Sequence, residues 1–128
     1  MSDGFPRNFK ASEFNCKCNK CAAESPAPES TRHLAWVLQL VRDEIGVPIR
    51  INSGYRCPDH NKAIGGHPNS YHMKGWAADL HPVGKTPREL HGAIEALVST
   101  GTIPEGGMGL YNTFVHYDIQ HRRRRWNG

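Results

Sequence analysis

The chain has 128 residues, 38% of them apolar and 22% charged, which is enough for one domain with a single core and excludes a disordered segment. No stretch approaches the ~18–20 apolar residues of a membrane span. The opening residues also lack the apolar run of a secretory signal, so this form of the chain is expected to start in a cytoplasm.

The formal net charge is +4, part of it in the run Arg122-Arg123-Arg124-Arg125 just before Trp126. Such a run either meets a polyanion (nucleic acid, phospholipid or an acidic wall polymer) or is a solvated terminus. Residues 1–28 read as a polar, irregular segment ending in Ser25-Pro26-Ala27-Pro28. Within it lie Cys16, Cys18 and Cys21, and Cys57 stands alone further on. The cluster, completed by Cys57 or His33, suits a tetrahedral zinc site, but it equally suits plain thiols or a disulfide. The paired CxxC…CxxC spacing of a zinc ribbon is missing.

An amphipathic helix follows. Ser30 or Thr31 can cap it, Leu34, Val37, Leu38, Val41 and Ile45 recur at helical spacing, and Gly46 stops it. Trp36 and Leu40 are expected to widen its packed stripe. Pro48 to Ile51 reads as a strand running into the loop Asn52-Ser53-Gly54-Tyr55-Arg56. Pro58 to Ile64 reads as a short helix ending at Gly65-Gly66, and a loop then leads to Ser70.

Trp76 to Leu80 reads as a second strand. Thr86, Pro87 and Glu89 form a capping box with proline in the first turn, opening a helix with Leu90, Ile94, Leu97 and Val98 inside and Gly101 at its end. Met108 to Tyr111 and Phe114 to Ile119 read as a hairpin joined near Asn112-Thr113. This order predicts a single α+β domain over residues 1–128, with a small, mostly antiparallel sheet packed on two main helices and a basic tail over 121–128.

Side chains two apart on a strand share a face, so Asp79 points with Ala77 and His81, and His116 points with Phe114 and Asp118. Gly75 permits a sharp turn before the strand, and His72 can fold back from the preceding segment. Two imidazoles and a carboxylate with an open fourth position make a catalytic zinc arrangement. With eight histidines in the chain, one near an aspartate also arises by chance, and spacing alone leaves both readings open.

The stretch S70-Y-H-M-K-G-W-A-A-D79 resembles the SxHxxGxAxD signature of the zinc D-alanyl-D-alanine carboxypeptidase and peptidoglycan peptidase superfamily, the M15 peptidases. F114-V-H-Y-D118 resembles the His-x-Asp strand of that family's compact bacterial and phage branch. I51-N-S-G-Y-R-C-P-D-H-N61 and G106-G-M-G-L-Y111 resemble the blocks before each. These blocks run in family order from about Ser12-Glu13-Phe14 to Trp126, nearly the whole chain.

The resemblance implies a hedgehog/D,D-peptidase-like fold, Zn2+ as cofactor, and His72, Asp79 and His116 as its ligands. It implies hydrolysis of a peptide bond next to a D-residue in a peptidoglycan stem peptide. The chain is expected to be a monomer that neither inserts into membranes nor binds nucleic acid. Arg56 matches the arginine near the scissile carbonyl or substrate carboxylate, where a guanidinium stabilises an oxyanion or grips a carboxylate; a structural salt bridge is its other reading. Ser70 either orients substrate or caps a turn.

One departure concerns the general base. Several members carry an acidic residue three positions before the last histidine, and here that position is Thr113. Asp118 is the favoured replacement, either as base or as the group holding an imidazole in its ligating tautomer. His81 is the weaker candidate, with Tyr111 behind it. A phage-type lysin, acting on the wall after release from the cytoplasm, fits this small domain. A zinc-containing module that binds the wall or belongs to a particle without cleaving anything is the alternative. A nucleic-acid binder using Arg122 to Arg125 and the cysteine cluster is disfavoured by the lack of interleaved aromatics and a basic stripe elsewhere.

Overall fold

The first long helix, α1 (Ser30–Ile45), buries Leu34, Val37, Leu38, Val41 and Ile45, as the helical spacing predicts, and Gly46 closes it in the left-handed conformation. The structure, a computed structural model, describes residues 4–18 and 29–128. Cys21 and the Ser25-Pro26-Ala27-Pro28 loop lie outside them.

Trp36 and Leu40 do not widen the packed stripe; they are 52% and 42% exposed. At 100° per residue they sit roughly 200–240° around the helix from Leu34, on its far side. The Trp36 indole N–H instead donates to the Gly4 carbonyl at 2.6 Å. Neither Ser30 nor Thr31 caps α1, because the helix already begins at Ser30 with Glu29 before it. The Ser30 hydroxyl donates to the Lys74 carbonyl at 2.6 Å and so ties the start of α1 to a short 3-10 turn, Tyr71–Lys74.

The N-terminal segment is not irregular throughout. It carries a 3-10 turn at Ala11–Phe14, and Phe9 and Phe14 enter the main core. β1 (Ile49–Ser53) leads to a one-and-a-half-turn helix, α2 (Pro58–Ala63), capped by the Cys57 sulfur. β2 spans Ala77–Pro82. α3 (Pro87–Ser99) has the expected capping box: Thr86 and Glu89 each accept from the other's backbone N–H.

β3 (Gly107–Leu110) and β4 (Val115–Asp118) form the expected antiparallel hairpin. The sheet order is β1-β2-β4-β3-β5, antiparallel except for β3 and β5. This is the α+β class predicted from the element order. β5 (Arg124–Asn127) is the correction: the run read as a basic tail is an edge strand pairing parallel with β3. Parallel pairing to a strand far back in the chain leaves no local turn signal, so the arginines alone could not announce it.

One sheet face, with Leu80, Val115, Tyr117 and Met108, packs on Leu34, Leu38 and Val41 of α1 and Leu90 and Ile94 of α3. The opposite face of β2 and β4 carries Asp79 and His116. No helix among the described residues is long and apolar enough to cross a membrane.

The capping box on α3 is a local and separable contribution. Thr86→Ala should destabilise the domain by about 1 kcal/mol, seen as a lower urea midpoint with an unchanged m-value.

Candidate metal centre

Asp79 and His116 are direct partners across the β2–β4 ladder, which places their side chains on one face at adjoining positions. His72 arrives from the Tyr71–Lys74 turn, where Ser70 caps the turn by accepting the His72 N–H at 3.2 Å. Gly75 then takes a φ of 72°, a left-handed conformation that costs glycine little, and swings the chain into β2.

These three residues bring one donor atom each to a common point. His116 Nδ1 lies 3.2 Å from Asp79 Oδ1 and His72 Nε2 lies 3.3 Å from the same oxygen. Donors held about 2.0–2.1 Å from a tetrahedral ion stand about 3.3 Å from one another. The spacing is that of ligands around a small divalent cation.

The outer ring nitrogens fix the tautomers. His72 Nδ1 donates to the Gly54 carbonyl at 2.7 Å, an atom that can only accept. Nε2 therefore carries the lone pair; it is buried and makes no hydrogen bond. His116 Nε2 faces Asp118 Oδ2 at 2.9 Å, which leaves its Nδ1 lone pair toward Asp79. Buried lone pairs converging without a donor between them are unfavourable unless a cation fills the gap.

Burial raises the Asp79 pKa, but with no cation between them the His116 ring, which can then carry a proton toward Asp79, and the adjacent His72 outweigh it and hold the carboxyl well below the usual range. For His116, burial favours the neutral ring, yet the Asp118 and Asp79 carboxylates outweigh it and raise the pKa. A proton and a cation thus compete for the same nitrogen.

Asp118 is fully buried, and both of its oxygens are occupied. Oδ1 accepts from the Gly107 N–H at 2.8 Å; Oδ2 accepts from His116 and, at 2.9 Å, from Arg124 Nη2. Burial pushes its pKa up, but these partners outweigh that and keep it ionised. It lies behind His116, away from the cavity.

Arg56 points into the site from the loop after β1. Nε donates to Ser53 Oγ at 3.2 Å, Nη1 to Asn61 Oδ1 at 3.2 Å, and Nη2 to Asp79 Oδ2 at 3.3 Å. The residue also lines the cavity. His81, by contrast, does not line it; its Nδ1 donates to the Thr113 carbonyl at 2.8 Å.

The cavity in front of the three donors has a volume of about 450 Å³. Tyr111 and Trp126 stand in its wall, and the indole N–H donates to the Tyr111 hydroxyl at 2.8 Å. A Cβ at Gly109 would run into the Trp126 indole, so a larger residue there would force the indole to move. The arginine run divides by direction, with strand alternation acting within β5 from Arg124 onward. Arg122, Arg124 and Trp126 face the cavity, while Arg123 and Arg125 reach Glu95 and Glu105 on the other side. Arg124 and Trp126 were missed as site residues because the run was read as a tail, and four identical side chains show no alternation that would mark a strand.

Fold and donors together define a small α+β protein that gathers two imidazoles and a carboxylate at an open cavity, ready for one divalent ion. The chain matches the family described as Peptidase M15 over residues 7–118, and it belongs to that family. It is 37% identical over 84 residues to the zinc D-Ala-D-Ala carboxypeptidase of Streptomyces albus G. That match takes in 61% of this chain and 32% of the relative, so the chain spans about a third of the relative's length.

Asp79 also compensates the partly buried Arg56. Asp79→Asn should cost about 2–3 kcal/mol in the metal-free protein, below the 3–5 expected for a fully buried pair. Urea unfolding in the presence of chelator measures it.

Proposed function

We propose that the chain is a zinc-dependent peptidase of bacterial peptidoglycan peptides, a D,D-carboxypeptidase or an endolysin-type endopeptidase. The observation that carries this reading is the unsatisfied, buried Nε2 of His72, aimed with His116 Nδ1 at one oxygen of Asp79. Membership of the peptidase family and the likeness to a zinc carboxypeptidase support the choice of metal and substrate class.

In this reading His72, Asp79 and His116 hold the ion. Bound zinc supplies Lewis acidity, lowering the pKa of water to about 7 and polarising a peptide carbonyl. The Gly54 carbonyl and Asp118 keep the two imidazoles in the tautomers that present lone pairs. Asp118 is a positioning residue here, not the base, because donors from the chain occupy both its oxygens.

Arg56 anchors Asp79 and turns its remaining N–H groups to the substrate, where they stabilise a developing oxyanion or grip a terminal carboxylate. Arg122 and Arg124 make the same wall cationic, which favours a peptide ending in a carboxylate. Tyr111 and Trp126 supply a rigid surface for its side chains. Ser70 acts through the His72 backbone, and His81 takes no part.

One observation favours a second reading. Among the described residues, Asp79 is the only carboxylate lining the cavity, and Thr113 offers no replacement base. A zinc-containing module that binds wall peptides without cutting them would have this wall.

Mass spectrometry of purified peptidoglycan after incubation with the zinc-loaded protein decides between the two. Release of D-alanine identifies the carboxypeptidase, internal fragments the endopeptidase, and an unchanged wall with zinc at the His72 site the binding module. His72→Ala and His116→Ala should each abolish zinc retention at this site and any hydrolysis, and activity kept by either would defeat the ligand assignment. Asp118→Asn should weaken zinc binding roughly 10–100-fold; unchanged affinity with lost turnover would return Asp118 to the role of base.

A further inference from the structure

We propose that Cys16, Cys18 and Cys57 hold a second zinc ion, structural in role and separate from the His72 site. The three sulfur atoms come from segments some forty residues apart in sequence, yet they all lie within 4.8 Å of one another. The Sγ atoms of Cys18 and Cys57 are 3.8 Å apart. With Zn–S near 2.3 Å, two sulfurs on a tetrahedral ion stand about 3.8 Å apart. A disulfide would need about 2.05 Å between them.

The surroundings suit thiolates. The Cys57 N–H donates to Cys16 Sγ at 3.3 Å, and the His60 N–H donates to Cys57 Sγ at 3.4 Å. Backbone donors on sulfur stabilise the anionic form, as they do around metal-bound thiolates. Three thiolates this close repel one another, and a divalent cation removes that repulsion. A set of three thiolates selects zinc over magnesium or calcium, which prefer oxygen ligands. His33, the histidine that sequence spacing offers as a ligand, is not part of this group.

The position in the fold explains what such an ion would do. Cys16 and Cys18 follow the Ala11–Phe14 turn, and Cys57 is the residue after Arg56. Between them the Tyr55 N–H donates to the Phe14 carbonyl at 2.9 Å. The backbones are so close that a Cβ on Gly54 would lie 2.9 Å from Phe14 Cα. The ion would pin the N-terminal segment to the loop that carries Arg56 and offers the Gly54 carbonyl to His72. It would fix the geometry of the catalytic cavity without touching substrate.

The test uses full-length protein prepared under reducing conditions, with zinc counted by elemental analysis. Wild-type should carry two zinc ions per chain. The His72→Ala/His116→Ala double variant should carry one, released on titration with an organomercurial and detected with a colorimetric zinc indicator. Cys57→Ser should lose that zinc, keep the other and melt at a lower temperature. A double variant that holds no zinc, releases none to the mercurial, or has the mass of a disulfide-bonded chain overturns the proposal. A wild-type chain whose only zinc is mercurial-releasable would instead sink the peptidase reading and leave this one standing.

Discussion

A single carboxylate organises the site. Asp79 Oδ1 faces both His72 Nε2 and His116 Nδ1, and Oδ2 takes the guanidinium of Arg56. One anion therefore faces two imidazoles and an arginine, each from a different element. Strand pairing makes this possible: the β2–β4 register sets Asp79 opposite His116, and a slip of one residue would turn one of them into the core. Because Ala78, Leu80, Val115 and Tyr117 fill the buried face, such a slip is strongly opposed by packing. The hydrophobic core thus sets the geometry of the donor group.

The two histidines reach the same end by opposite routes. His72 is protonated at Nδ1 by a backbone carbonyl's demand, whereas His116 is protonated at Nε2 by a buried carboxylate. A carbonyl orients the ring at little electrostatic cost. A carboxylate does more: it adds negative potential that raises the basicity of the facing nitrogen. That charge is itself offset by Arg124 from β5, so the edge strand contributes to the electrostatics of the centre as well as to its wall.

Much of this was legible in the sequence, for identifiable reasons. Period-two alternation put Asp79 and His116 on faces that meet, and the capping signals of α3 and the spacing of α1 were read directly. The donors themselves stood in motif blocks whose order spans the chain. What could not be read depended on long-range contact. The 3-10 turn that presents His72 is too short to have a period. Trp36 and Leu40 looked like core residues because apolarity, unlike geometry, says nothing about which side of a crowded helix faces in. Asp118 shares a face with His116 in any strand reading; only the covering by Gly107 and Arg124 removes it from the cavity.

The arginine run shows why composition misleads at the end of a chain. Four adjacent cations read as one electrostatic object, yet the folded chain sends them in two directions. Arg123 and Arg125 meet Glu95 and Glu105 and are largely neutralised. Arg124 is tied to Asp118 and lies 5.3 Å over both the Tyr71 and Trp126 rings, so its charge is partly offset but held at the cavity wall. The positive potential left for a ligand is therefore local to the cavity mouth rather than spread along a tail. A ligand that is anionic at one end, and otherwise a neutral peptide, matches that distribution better than a polyanion, whose phosphates or carboxylates would find only a short stretch of uncompensated charge.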